Sequence, residues 1–201
     1  MNKPRELASS KLGWILLAVA LGGGAAIVGC RGEGSTPGCP SAEPAGPPVD
    51  ESLLAFLSAA RALHHEADVR QGASDTPGAI AALERLVALP SPPAVEVDEV
   101  VADARARLAE LRLGQGDVDG ADRDVHAGLE RVKGPTYFRG HLLEVEGLLE
   151  EARGNALADA GKGADAARAR ARAVDLLEQA VKVQEGVIDR ALADGGKDGQ
   201  R

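Results

Sequence analysis

Asp117-Val118-Asp119-Gly120-Ala121 reproduces Asp75-Thr76-Pro77-Gly78-Ala79 at an offset of 42 residues, and the likeness runs outward: Val125 falls on Leu83, Leu129 on Val87 and Pro135 on Pro93. A segment that returns at such a spacing is the mark of a helix-turn-helix unit used more than once. The acidic residues from Asp117 and Asp119 onward read as a helix start, because their carboxylates accept from unpaired backbone N–H groups and offset the positive end of the helix dipole. Small residues at Ala79 and Ala121 let two antiparallel helices approach closely near their turn.

Apolar residues on either side recur at three and four positions, the helical period. Leu53, Phe56, Leu57, Ala60, Leu63 and Ala67 predict a helix over 51–71; Thr76 as cap and Pro77 at the first helical position open a second, with Ile80, Leu83, Leu86 and Val87, which Pro90-Ser91-Pro92-Pro93 stops. Val97, Val101, Ala104, Leu108 and Leu111 define a helix ending at Gly114, and Ala121, Val125, Leu129 and Val132 one that closes at Gly134-Pro135. A third pair starts at Thr136 with Phe138, Leu142, Val145, Leu149 and Ala152, breaks near Gly154 or at Gly161-Lys162-Gly163, and resumes as a long helix to about Ala193. No segment reads as a strand. The prediction is an all-α domain over 50–194, a helical-repeat array of about three antiparallel pairs, followed by a disordered tail over 195–201. Beyond the leader the only aromatics are Phe56, Tyr137 and Phe138, so the core rests on Leu, Val and Ala.

Leu108-Ala109, Gly116-Asp117-Val118-Asp119-Gly120-Ala121, Val125, Gly128-Leu129 and Pro135 resemble the tetratricopeptide repeat, whose first helix carries an aliphatic and a small residue before a Gly-Asp turn. The resemblance covers 51–193 in architecture and 104–135 in detail. It implies stacked hairpins, an exposed concave groove and a protein or peptide ligand in that groove. Arg105 stands where the family has Trp, Arg112 where Tyr is common, and the period exceeds the family's roughly 34 residues. Arg105 and Arg112 at those two sites, together with His141, are the candidate groove residues, as inward-facing positions of the first helices.

The first residues carry an address. Lys3, Arg5 and Lys11 precede an apolar run from Leu12 to Val28 that contains Gly22-Gly23-Gly24, the layout of a cleaved secretory signal over 1–29. Ile27-Val28-Gly29-Cys30 resembles the lipobox of bacterial lipoproteins, which implies diacylation of Cys30 as the new N terminus and a membrane anchor of several acyl chains. Residues 30–49, rich in Gly and Pro, read as an extended tether. Arg31 follows the cysteine, so the outer membrane is the default site, with the helical domain facing the periplasm. The second cysteine, Cys39, follows no apolar run and reads as an exposed thiol.

With 201 residues, a net charge of -8 and 2% aromatics, the chain has room for one domain and lacks the basic, aromatic surface that nucleic-acid binders use. No catalytic constellation emerges. His64-His65-Glu66-Ala67-Asp68-Val69 begins like a zinc-protease helix, yet Val69 occupies the second ligand position. Asp117, Asp119, Asp122 and Asp124 miss the calcium-loop spacing at Ala121. Arg168, Arg170 and Arg172 alternate around a helix and read as a solvated face. The expectation is therefore a non-enzymatic, lipid-anchored interaction module with no metal or cofactor, binding an envelope protein or peptide. The alternatives are a helical-bundle site for a small ligand or metal at His64, His65, His126 or His141, and a purely structural envelope spacer. The oligomeric state is left open.

Overall fold

The computed structural model describes residues 50–198, and the leader, Cys30 and the Gly/Pro tether lie outside them. Six helices follow in order: α1 (Glu51–Gly72), α2 (Thr76–Val87), α3 (Val95–Gly114), α4 (Val118–Arg131), α5 (Tyr137–Asp159) and α6 (Gly163–Asp198). Among the described residues there is no strand, so the all-α expectation holds. No helix there is long and apolar enough to cross a membrane.

Side-chain caps set four of the helix starts. Asp50 accepts from the Ser52 and Leu53 amides, Asp75 from Gly78, Asp117 from Gly120 and Thr136 from Arg139. The cap of α2 is thus Asp75 and not Thr76, which is already helical. The reason lies one residue earlier, in the turn. Ser74, Gly116 and Gly161 adopt left-handed φ values of 60°, 78° and 73°. In each case the next amide bonds back to the carbonyl five residues before it: Asp75 to Arg70 at 2.8 Å, Asp117 to Arg112 at 2.9 Å and Lys162 to Leu157 at 2.9 Å. A second bond, from Ser74 to Gln71, Gly116 to Leu113 and Gly161 to Ala158, completes the paired C-terminal closure in which a left-handed residue ends a helix. The residue that ends one helix's hydrogen bonding then begins the next helix, so all three hairpins share one tight turn.

Ion pairs along α3 and α4 fix their direction. Asp98, near the start of α3, meets Arg131 at the end of α4 at 2.9 Å, while Arg112 near the end of α3 lies 4.0 Å from Asp117 ahead of α4. In α5 and α6 the register is written in glycine. A Cβ on Gly140, Gly147 or Gly154 would come within 2.9–3.0 Å of Gln184, Leu177 or Arg170 in turn, so partner numbers fall by seven as glycine numbers rise by seven. Ala166, Ala173 and Ala180 are buried on the facing side. Gly154 is therefore a close-packing position inside α5 and no break; the break falls after Asp159. α6 continues to Asp198, past the domain end expected at 194.

Each hairpin packs on the next through α2 and α3 and through α4 and α5, and α1 touches α3 as α3 touches α5. α2, α4 and α6 do not touch one another. One core joins Phe56, Leu63, Leu83, Leu86, Val97, Val101 and Leu108. A second joins Ala102, Ala106, Ala109, Val125, Leu142, Val145 and Leu149. Central α3 feeds both, which requires two apolar stripes on one helix.

Candidate binding face

Because α1, α3 and α5 lie side by side, they share a face on which polar groups from all three converge. His64 of α1 places Nε2 3.7 Å from Asp103 of α3, and its Nδ1 lies 3.0 Å from Arg107 Nη1. Arg107 donates through Nη2 to Asp68 at 2.6 Å. With a guanidinium donating to Nδ1, the neutral imidazole carries its proton on Nε2, towards Asp103. Burial is the main force holding the His64 pKa below its ordinary value; Arg107 acts in the same sense, against the carboxylates of Asp103 and Asp68.

His141 of α5 faces the same Asp103 from the other side, its Nδ1 4.0 Å from Oδ1, and its Nε2 bonds Glu110 at 3.1 Å. The Glu110 hydrogen bond raises the His141 pKa, helped by the charges of Glu110, Asp103 and Glu144 and opposed by burial. His141 Nδ1 is buried with no hydrogen-bond partner. Tyr137, one turn earlier, is exposed with its ring 6.2 Å from the His141 ring. Further along, Glu110, Leu113, Leu148 and Asn155 wall a groove between α3 and α5. The face thus offers carboxylates, an aromatic ring and an exposed aliphatic side chain. Among the described residues no group of three or more His, Cys, Asp or Glu could hold a metal ion.

Arg105 and Arg112 do not belong to this face. Both reach the opposite flank of α3, where Asp124 of α4 is fully buried: Arg105 Nη1 bonds its Oδ1 at 2.5 Å, and Arg112 Nη1 bonds its Oδ2. Arg112 also reaches Glu84 of α2 at 2.5 Å. The two arginines stand in core positions because they neutralise an acid inside the α3/α4 interface, and so only His141 of the three candidates lies on the shared face. The sequence signal for Asp124 was its place in the apolar spacing of α4, between Ala121, Val125 and Gly128, which are all buried. Of the other histidines, His126 pairs with Asp122 on α4 at 3.6 Å, while His65 is on α1 beside the groove of Ser58, Arg61 and Asp68.

A similar buried acid, Glu150, receives Arg153 at 2.7 Å with Arg172 of α6 3.7 Å away, tying α5 to α6. A separate apolar groove of about 600 Å³ lies between the start of α1 and the loop after α2, walled by Phe56, Leu89, Pro90 and Pro93. No protein-family model, curated protein or solved structure matches the chain.

Proposed function

We propose that the protein is a lipid-anchored scaffold of the bacterial cell envelope, non-catalytic, whose three antiparallel helix pairs form a tetratricopeptide-like array that docks an envelope protein or peptide. The reading rests above all on the contact pattern of the helices. First helices α1, α3 and α5 touch in series while second helices α2, α4 and α6 stand apart. A layer whose members touch lies inside the bend of an array whose other layer is splayed, and the inner layer of such arrays is the extended binding surface. Support comes also from the turn that Ser74, Gly116 and Gly161 share, one in each helix pair. Cys30 carries the anchor in this reading, on the strength of Ile27-Val28-Gly29-Cys30 after the apolar run.

The inner face sets the ligand's character. Exposed Glu144 and Glu151 with Glu110 make it acidic, and Tyr137 and Leu148 add apolar purchase. A peptide with a basic side chain flanking an apolar one satisfies both. Crosslinked affinity purification from detergent-solubilised membranes tests the proposal, comparing wild type with Cys30→Ala and with Glu110→Lys/Glu144→Lys. The expected result is one recurring protein, lost from the charge-reversed face and mislocalised with Cys30→Ala. Absence of any recurring protein from wild type overturns the adaptor reading, and an unchanged membrane fraction for Cys30→Ala overturns the anchor.

A further inference from the structure

α6 holds 36 residues against 23 in α5. At 1.5 Å per residue that is about 54 Å against about 35 Å. Since Gly140 lies against Gln184, α5 begins level with residue 187, and the last turns of α6 run on without α5 beside them. Arg190, which donates to the Pro135 carbonyl, ties this extension back to the start of α5, and its helical turns otherwise have no apolar partner from α5. Those turns carry Ile188, 56% exposed, and Leu192, 71% exposed.

Ile188 continues a row. Val174, Val181 and Ile188 repeat at seven residues, each more than half exposed, and Leu192 lies one turn further on the same side. The Ala166, Ala173 and Ala180 row that packs on α5 sits about a quarter-turn away. The exposed row is therefore a second apolar seam, with the spacing of a helix-helix interface, on the side of α6 that α5 does not cover.

The charges beside it indicate what covers it. Asp175, Glu178, Glu185 and Asp189 follow one edge, with Lys182 as the single cation among them. None of the five makes an ion pair among the described residues, so the edge presents uncompensated negative charge along the seam. A second copy of α6 would bring the same four acids with only Lys182 to set against them. We propose that this seam docks an amphipathic helix of a partner protein, with aliphatic residues at seven-residue spacing and Lys or Arg along the edge that meets Glu178 and Glu185. This is a helix-on-helix contact, with the flanking charges selecting the partner. It is separate from the α1/α3/α5 face.

The test uses the full chain in zwitterionic lipid nanodiscs, with empty discs as blank, and two synthetic 21-residue amphipathic helices that share a Leu seam and differ only in Lys or Glu flanks. Fluorescence anisotropy is expected to give at least about tenfold tighter binding of the Lys-flanked helix. Val181→Glu/Ile188→Glu abolishes that binding with the thermal melt unchanged, and Glu178→Lys/Glu185→Lys reverses the preference. Glu110→Lys/Glu144→Lys on the other face leaves it intact, so failure here and failure of the adaptor reading are separable. Equal binding of the two helices, binding indifferent to the seam substitutions, or a wild-type dimer dissociated by Val181→Glu each overturns the proposal.

Discussion

Asp124 shows how a single residue can reorganise a reading of the sequence. It is buried with two part-exposed arginines on it, and Asp124→Asn leaves Arg105 without its carboxylate while Arg112 keeps Glu84. Losing the charged hydrogen bonds costs about 1.5–3 kcal/mol, which chemical denaturation would measure. Ser74 makes the opposite prediction. It is the one non-glycine residue with positive φ among the described residues, and Gly116 and Gly161 hold the matching place in the other turns. Ser74→Gly removes left-handed strain and should stabilise by about 0.5–1 kcal/mol, net of glycine's greater freedom when unfolded. The two histidines of the α1/α3/α5 face have opposite signs. The fold raises the pKa of His141, so its contribution is fully present below the ordinary pKa and is lost as pH rises through the folded value. The fold lowers the pKa of His64, so its neutral form contributes above the ordinary value and that contribution is lost as pH falls through the folded one. His141→Gln should therefore destabilise more at pH 5 than at pH 8, and His64→Gln the reverse, in melts compared across that range.

At the scale of elements, most of the fold was legible. The period of the apolar residues located all six helices, and Asp117 and Thr136 gave their starts correctly. Two features escaped for physical reasons. Thr76-Pro77 looked like a cap because Thr and Pro suit those positions, but Asp75 follows a left-handed residue and captures the Gly78 amide first. Gly154 looked like a breaker because glycine weakens helices, yet with Gly140 and Gly147 it makes a seven-residue row that lets α6 approach. That spacing was visible in the sequence, whereas which helix it faced was not. Arg105 and Arg112 show the same limit: a departure from a repeat pattern marks an unusual position without saying which flank of the helix bears it. Glycine substitutions separate the cases. At Gly147, where a Cβ would meet Leu177 at 2.9 Å and the Ala173 carbonyl at 3.3 Å, Gly147→Leu should cost about 2 kcal/mol from overpacking despite its better helix propensity. At Gly186, where a Cβ meets nothing within 4 Å, Gly186→Ala should stabilise by up to about 1 kcal/mol. Thermal melts of the pair would move in opposite directions.

Across the whole molecule, stability should be graded. α3 packs into both cores, while α1 and the far end of α6 have neighbours on fewer sides. Arrays held together by nearest-neighbour contacts fray from their ends. Amide exchange should be slowest in α3 and fastest beyond Ile188, and uniform protection would count against stacked units. The central claim, that a partner lies along α1, α3 and α5, is tested most directly by site-specific photo-crosslinking in intact cells. A photoreactive side chain would replace Leu148, in the groove between α3 and α5, or Glu130, exposed on α4 in the other layer. The account predicts one discrete crosslinked product from position 148, abolished by Glu110→Lys/Glu144→Lys, and none from position 130. The same product from both positions, or from neither, would contradict it.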